Sequence, residues 1–136
     1  MLIISFAWTT PALLATENGK DVKVCTRRNW PESYARLFKA GRQVQGYDKG
    51  ARVGGRPVAI ISLTRDAYPE RTSCAPDADY ENEGLGWMER HGLLVGGVHP
   101  RDFWEQWKAR DELVYVVRFQ LMKRLVPLAL YLPEER

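Results

Sequence analysis

The sequence predicts an α+β fold: a small curved or barrel-like mixed sheet flanked by short helices. Two observations carry this. Strand-like runs are few, unevenly spaced and interleaved with short helical stretches, which disfavours a regularly alternating parallel α/β sheet. The chain of 136 residues, 45% of them hydrophobic, is long enough for one domain with its own core, read here as spanning 1–136. Charged residues make up 27%, the ordinary globular share, so wholesale disorder is not expected.

The elements follow in order. Leu2 to Ala7 is a short apolar run bounded by Ser, Thr and Pro, and reads as a buried strand. Thr9-Thr10-Pro11 supplies a hydroxyl N-cap and a proline at the first helical position, predicting a helix from Pro11 to about Glu17 that stops at Asn18-Gly19. A cationic run, Gly19 to Trp30, turns into an extended segment in which Val22 and Val24 oppose Lys23 and Cys25. Pro31 opens a second helix to Ala40, with Tyr34, Leu37 and Phe38 on one face and Gly41 as its stop. Gln43 to Tyr47 and Arg56 to Thr64 read as strands joined by a basic, Gly-rich tip that matches no nucleotide-phosphate loop.

Arg65 to Asp77 looks irregular. A helix starting near Asp77 or Asp79 should pass through Glu83 to Glu89, weakened by Gly84 and Gly86. His91 to Val98 reads as a loop, and His99-Pro100 as the start of a helix that packs Phe103, Trp104 and Trp107 inward. Leu113 to Leu121 alternates as a strand, and Pro127 makes the last apolar segment an edge strand or a packed tail.

Net charge is only +3, but it is unevenly spread. Lys20 to Arg56 holds ten Lys/Arg against three Asp/Glu, and Asp66 to Glu89 holds seven Asp/Glu against one Arg. Such a chain can present a positive face to a polyanion, or two solvated faces that partly neutralise each other. Cys25, Cys74, His91 and His99 match no metal-ligand spacing, so neither a metal nor another cofactor is expected. The opening residues lack a signal peptide's basic region, and the apolar stretch from Leu125 to Leu132 is far too short to span a membrane. A cytoplasmic protein with reduced thiols is the expectation, its oligomeric state open.

Several of these stretches together resemble the ASCH domain family of the PUA-like superfamily. They are Ile4-Ser5-Phe6 leading into the Pro11 helix, Lys23-Val24-Cys25-Thr26-Arg27-Arg28 followed by Trp30, Phe38-Lys39-Ala40-Gly41, the acidic segment with Glu83-Gly84, and Tyr115-Val116-Val117-Arg118-Phe119. The likeness runs from Leu2 to about Leu121. It departs at the turn between Gly19 and Lys23, which is longer than the family's Gly-Lys turn, and the tail after Met122 lies outside the pattern.

The resemblance implies a small β-barrel with a cleft at its mouth and a partner that is single-stranded RNA or a modified nucleoside. One branch of the family resembles small amidohydrolases that deacylate N4-acetylcytidine with a Lys, a Thr and a Glu. By motif position those roles fall on Lys23, Thr26 and Glu83, with Glu81 two residues from the last. As a binder, the chain would use Arg27, Arg28, Lys49, Arg52 and Arg56 on phosphates, with Trp30, Tyr47 or Trp87 stacking on an unpaired base. Metal-independent RNA cleavage in the same cleft is a further alternative, and a cysteine nucleophile at Cys25 a remote one.

In a regular strand Lys23 and Thr26 would face opposite sides, so a shared site needs a turn or bulge between them. Without the resemblance, a strand hydroxyl and a surface ion pair would be the more economical description of these residues.

Overall fold

A computed structural model describes residues 1–133. Five strands form one curled half-barrel in the order β1 (Leu2–Ser5), β5 (Gln43–Tyr47), β6 (Pro57–Leu63), β8 (Leu113–Arg124) and β4 (Cys25–Arg28). β1 pairs parallel with β5, and the remaining pairings are antiparallel. A sixth strand, β7 (Tyr68–Arg71), adds to β8 beside its first residues. The fold is thus mixed α+β, as expected.

The length of β8 produces the curl. Its first half pairs with β4 on one edge and β7 on the other, and its second half pairs with β6. Register shifts at Gly46/Tyr47 and Ile60/Ile61 add local twist, the usual effect of a bulge. The inner face packs Ile4, Phe6, Leu13, Phe38, Val44, Ile61 and Phe119 into the larger core. A second core, around Tyr80, Leu85, Trp87, Met88 and Trp104, lies between the helices α4 (Leu85–Arg90) and α5 (Pro100–Ala109).

Several elements differ from expectation for identifiable reasons. The first helix, α1, is only Thr10–Leu14, because Asn18-Gly19 turns a small hairpin between β2 (Thr16–Glu17) and β3 (Lys20–Asp21). The helix after Pro31, α2, is confined to Glu32–Ala35. The stretch expected to be irregular contains β7, an edge strand that tolerates Pro69. The long acidic helix divides at Gly84 into α3 (Asp79–Asn82) and α4. After Pro127 the chain forms a single 3₁₀ turn, Leu128–Tyr131, packed against the core, so it is a tail and not an edge strand. His99 does serve local structure: its Nδ1 accepts from the Arg101 backbone N–H at 3.1 Å and caps α5.

Candidate functional site

The segment Val22 to Val24 is the turn that the shared site requires. It lies outside β4, and its backbone is held from two sides: the Val24 N–H donates to Asn82 O (2.8 Å), and Val24 O accepts from the Phe119 N–H (3.0 Å). Lys23 therefore departs from strand alternation and opens on the same cavity as Thr26. Glu83 reaches that cavity through Gly84, whose φ of +89° breaks the helix. Gly84 also lies against α1 so closely that an added Cβ would stand 2.5 Å from Ala12 Cβ and 3.4 Å from Lys23 Cβ.

The cavity, of about 210 Å³, has a polar side and an apolar side. The polar side is Lys23, Thr26, Arg27, Arg28 and Glu83; the apolar side is Phe6 and Trp8 from the segment after β1, Leu85 from α4, Val95, and Phe103, Trp104 and Trp107 from α5. Lys23 is only 1% exposed. Its Nζ donates to Cys25 O and Glu83 O, both at 2.8 Å, and stands 3.4 Å from Glu83 Oε1. Burial drives its pKa down, aided by Arg28, against the opposing pull of Glu83.

Thr26 and Arg28 share one face of β4. The Thr26 hydroxyl accepts from Arg28 Nε (3.2 Å) and from a terminal guanidinium nitrogen (3.1 Å). Among the described residues no carboxylate stands within salt-bridge distance of Arg28, which lies over the Phe6 ring at 5.4 Å. Burial lowers its pKa to about 10, with Glu83 opposing.

Arg27, on the other face, is a structural clamp. It donates to Glu70 (2.9 Å), Glu83 (2.8 Å) and Asp79, and Asp79 also accepts from Arg118 at 2.7 and 3.0 Å. Burial works against the Arg27 charge, but the surrounding carboxylates more than offset it and raise its pKa. With its donors spent on three carboxylates, Arg27 is not available to a phosphate. Cys25 is fully buried, and its thiol is pushed up to about 12 by burial and by Glu83, so it is no nucleophile near neutral pH.

The remaining expected residues lie elsewhere. Trp30 stacks on Phe38 (4.2 Å) and meets Tyr34 edge-on (5.1 Å); it packs on the larger core and does not line the cavity, because α2 folds back over it. Tyr47 ends β5, opposite Ser5. Lys49 and Arg52 are exposed on the β5–β6 connection, and Arg56 pairs with Asp48 (3.4 Å) and Tyr131 (3.3 Å). None of these five is on the cavity wall. Trp87 is core, its ring tilted against His91 at 4.4 Å, and Glu81 pairs outward with Arg90 at 2.8 Å, which leaves the cavity to Glu83.

Conversely, Phe6, Trp8 and the α5 aromatics line the cavity without having been singled out for it. The α5 aromatics carried the signature of core packing, and Trp104 is indeed 3% exposed, a core residue and a wall at once. Among the described residues no group of three or more His, Cys, Asp or Glu side chains could hold a metal ion, and no helix is long and apolar enough to cross a membrane.

No protein-family model matches this chain, and no curated protein matches it. Among solved structures it is similar to protein EF3133 from Enterococcus faecalis V583, described by the family model DUF984, at 22% identity and a TM-score of 0.44. That alignment covers 74% of this chain and 64% of the other, so the chain spans somewhat less than two thirds of that protein's length.

Proposed function

We propose that this chain is an ASCH-like, PUA-like domain whose cavity takes one modified nucleoside, and that it hydrolyses the amide of an N4-acylcytidine. The observation that supports this most is the opening of Lys23, Thr26 and Glu83, from segments sixty residues apart, on one aromatic-walled cavity. The aromatic wall suits a flat ring, and a volume of about 210 Å³ suits a single base better than a strand.

In this reading the neutral Lys23 amine uses its two N–H groups on Cys25 O and Glu83 O, which leaves its lone pair free. It takes the Thr26 hydroxyl proton, directly or through one water, as Oγ1 attacks the acyl carbonyl. The resulting ammonium is stabilised by the Glu83 carboxylate, whose Oε1 stands 3.4 Å from Nζ. Arg28, already donating to Oγ1, stabilises the developing negative charge. The C–N bond breaks as Lys23 returns the proton to the departing amine, leaving cytidine and an acyl ester on Thr26. Water, deprotonated by the same lysine, cleaves that ester to the carboxylic acid and restores the hydroxyl.

Surface binding of single-stranded RNA draws less support, because Arg27 is committed internally and Lys49, Arg52 and Arg56 lie off the cavity. Incubation with N4-acetylcytidine, followed by chromatography for cytidine, tests the proposal. Turnover is expected, with a loss of at least about 10³-fold in Thr26→Ala and in Lys23→Met. Turnover indifferent to both substitutions would reject the assignment, and binding without turnover would make the chain a nucleoside-binding module.

A further inference from the structure

We infer that the cavity continues into an apolar subsite for an uncharged arm of the ligand, with Trp8 as the wall common to both. A groove of about 420 Å³ shares Ala7 and Trp8 with the cavity and runs on past Pro11, Met88, Leu94 and Leu130. Among the described residues no charged side chain lines it. The one side-chain hydroxyl among those residues, on Tyr131, is engaged by Asp48 at 2.8 Å and Arg56 at 3.3 Å. A polar or ionic occupant would therefore find no free partner among these residues, whereas an alkyl or aryl group loses nothing.

The junction is built rather than incidental. Ala7 holds a positive φ of 43°, a conformation that a residue with a Cβ adopts only at a cost, and it throws Trp8 outward. The indole stays 62% exposed while lying against Gly96, where an added Cβ would stand 2.9–3.0 Å from three ring carbons. Leu94 and Leu130, each 56% exposed, extend the apolar surface from that ring. Because the groove shares Ala7 and Trp8 with the cavity, its occupant is the far end of the molecule seated in the cavity. Resting on the reading above, that arm is the acyl group. Amides of longer or aromatic acids are then better ligands than the acetyl amide.

The test is calorimetric titration of the non-turning Thr26→Ala chain with N4-acetylcytidine and N4-octanoylcytidine. Each methylene buried in the groove should tighten binding about three- to fourfold, so the octanoyl compound should bind at least about tenfold more tightly. Trp8→Ala and Leu130→Glu, both at exposed positions and checked for folding by circular dichroism, should each bring that ratio toward one.

Equal affinities, or a ratio untouched by both substitutions, would overturn the subsite while leaving nucleoside binding intact. Binding of neither compound would overturn this inference together with the proposed function. A chain that dimerises on sedimentation and is made monomeric by Leu130→Glu would assign the groove to a second copy, and would also overturn it.

Discussion

Neighbouring residues of β4 have opposite fates, and the alternation of a strand explains why. Cys25 and Arg27 turn to the carboxylates of Glu70, Asp79 and Glu83, of which Arg27 and Glu83 also border the cavity, whereas Thr26 and Arg28 share the other face of the strand. Lys23 senses both sets. Its pKa lies below the ordinary 10.5 chiefly because the ammonium is buried; Glu83 pulls it back up and Arg28 pushes it further down. Only the free amine can accept the Thr26 proton, so kcat/KM for N4-acetylcytidine should climb as pH rises toward that lowered pKa and then level off. The two neighbours give the profile a direction that a merely structural role would not. Removing the negative charge with Glu83→Gln should move the ascending limb to lower pH, and removing the positive one with Arg28→Ala should move it to higher pH. A limb that stays in place in both variants would assign the titration to another group.

At the scale of elements, the break between α3 and α4 does the most to build the site. A continuous helix from Asp79 to Arg90 would carry Glu83 away from Lys23; Gly84 turns the chain and lets it lie against Ala12. Gly84→Ala should cost about 3 kcal/mol or more, since it combines a positive φ with a Cβ contact that nothing flexible relieves. Urea unfolding would show it as a lowered midpoint, and an unfolding free energy within about 0.5 kcal/mol of the parent's would mean that α1 moves freely. Gly84 was legible in the sequence as a weak point of a helix, but not as a hinge, because Ala12 lies seventy-two positions away in the chain. The same holds for Trp30. Its place after two arginines suggests a stacking platform, yet Tyr34 on α2 and Phe38 just beyond that helix pack against it. Strands with strong alternation, such as Leu113 onward, were legible almost to their ends, while β7, carrying a proline on an edge, was not.

At the scale of the whole molecule, the uneven charge of the sequence is largely answered from within. The basic run after Gly19 meets the acidic segment after Asp66 in one buried cluster, where Lys23, Arg27 and Arg118 face Glu70, Asp79 and Glu83. The segment charges were plain in the sequence; their pairing was not, since it links positions forty to sixty apart through β8. The cluster ties β4 and β8 to α3, so it should also set the acid limit of the fold. Burial alone would raise the pKa of Asp79, but the bonds from Arg118, Asn82 and Arg27 outweigh it and hold the carboxyl well below the usual carboxylate range. A carboxylate whose folded pKa is depressed contributes stability that is complete above its unfolded pKa and is lost as pH falls below it toward the folded value. The urea midpoint should therefore be steady down to about pH 5 and then decline below about pH 4. Asp79→Asn leaves two arginines facing a neutral amide, and should cost about 3–5 kcal/mol at neutral pH. It should also flatten the acid limb, because the group whose protonation produces that part of the decline is gone. A variant as stable as the parent at pH 7, or one that keeps the full slope below pH 4, would place the acid sensitivity in the exposed carboxylates instead.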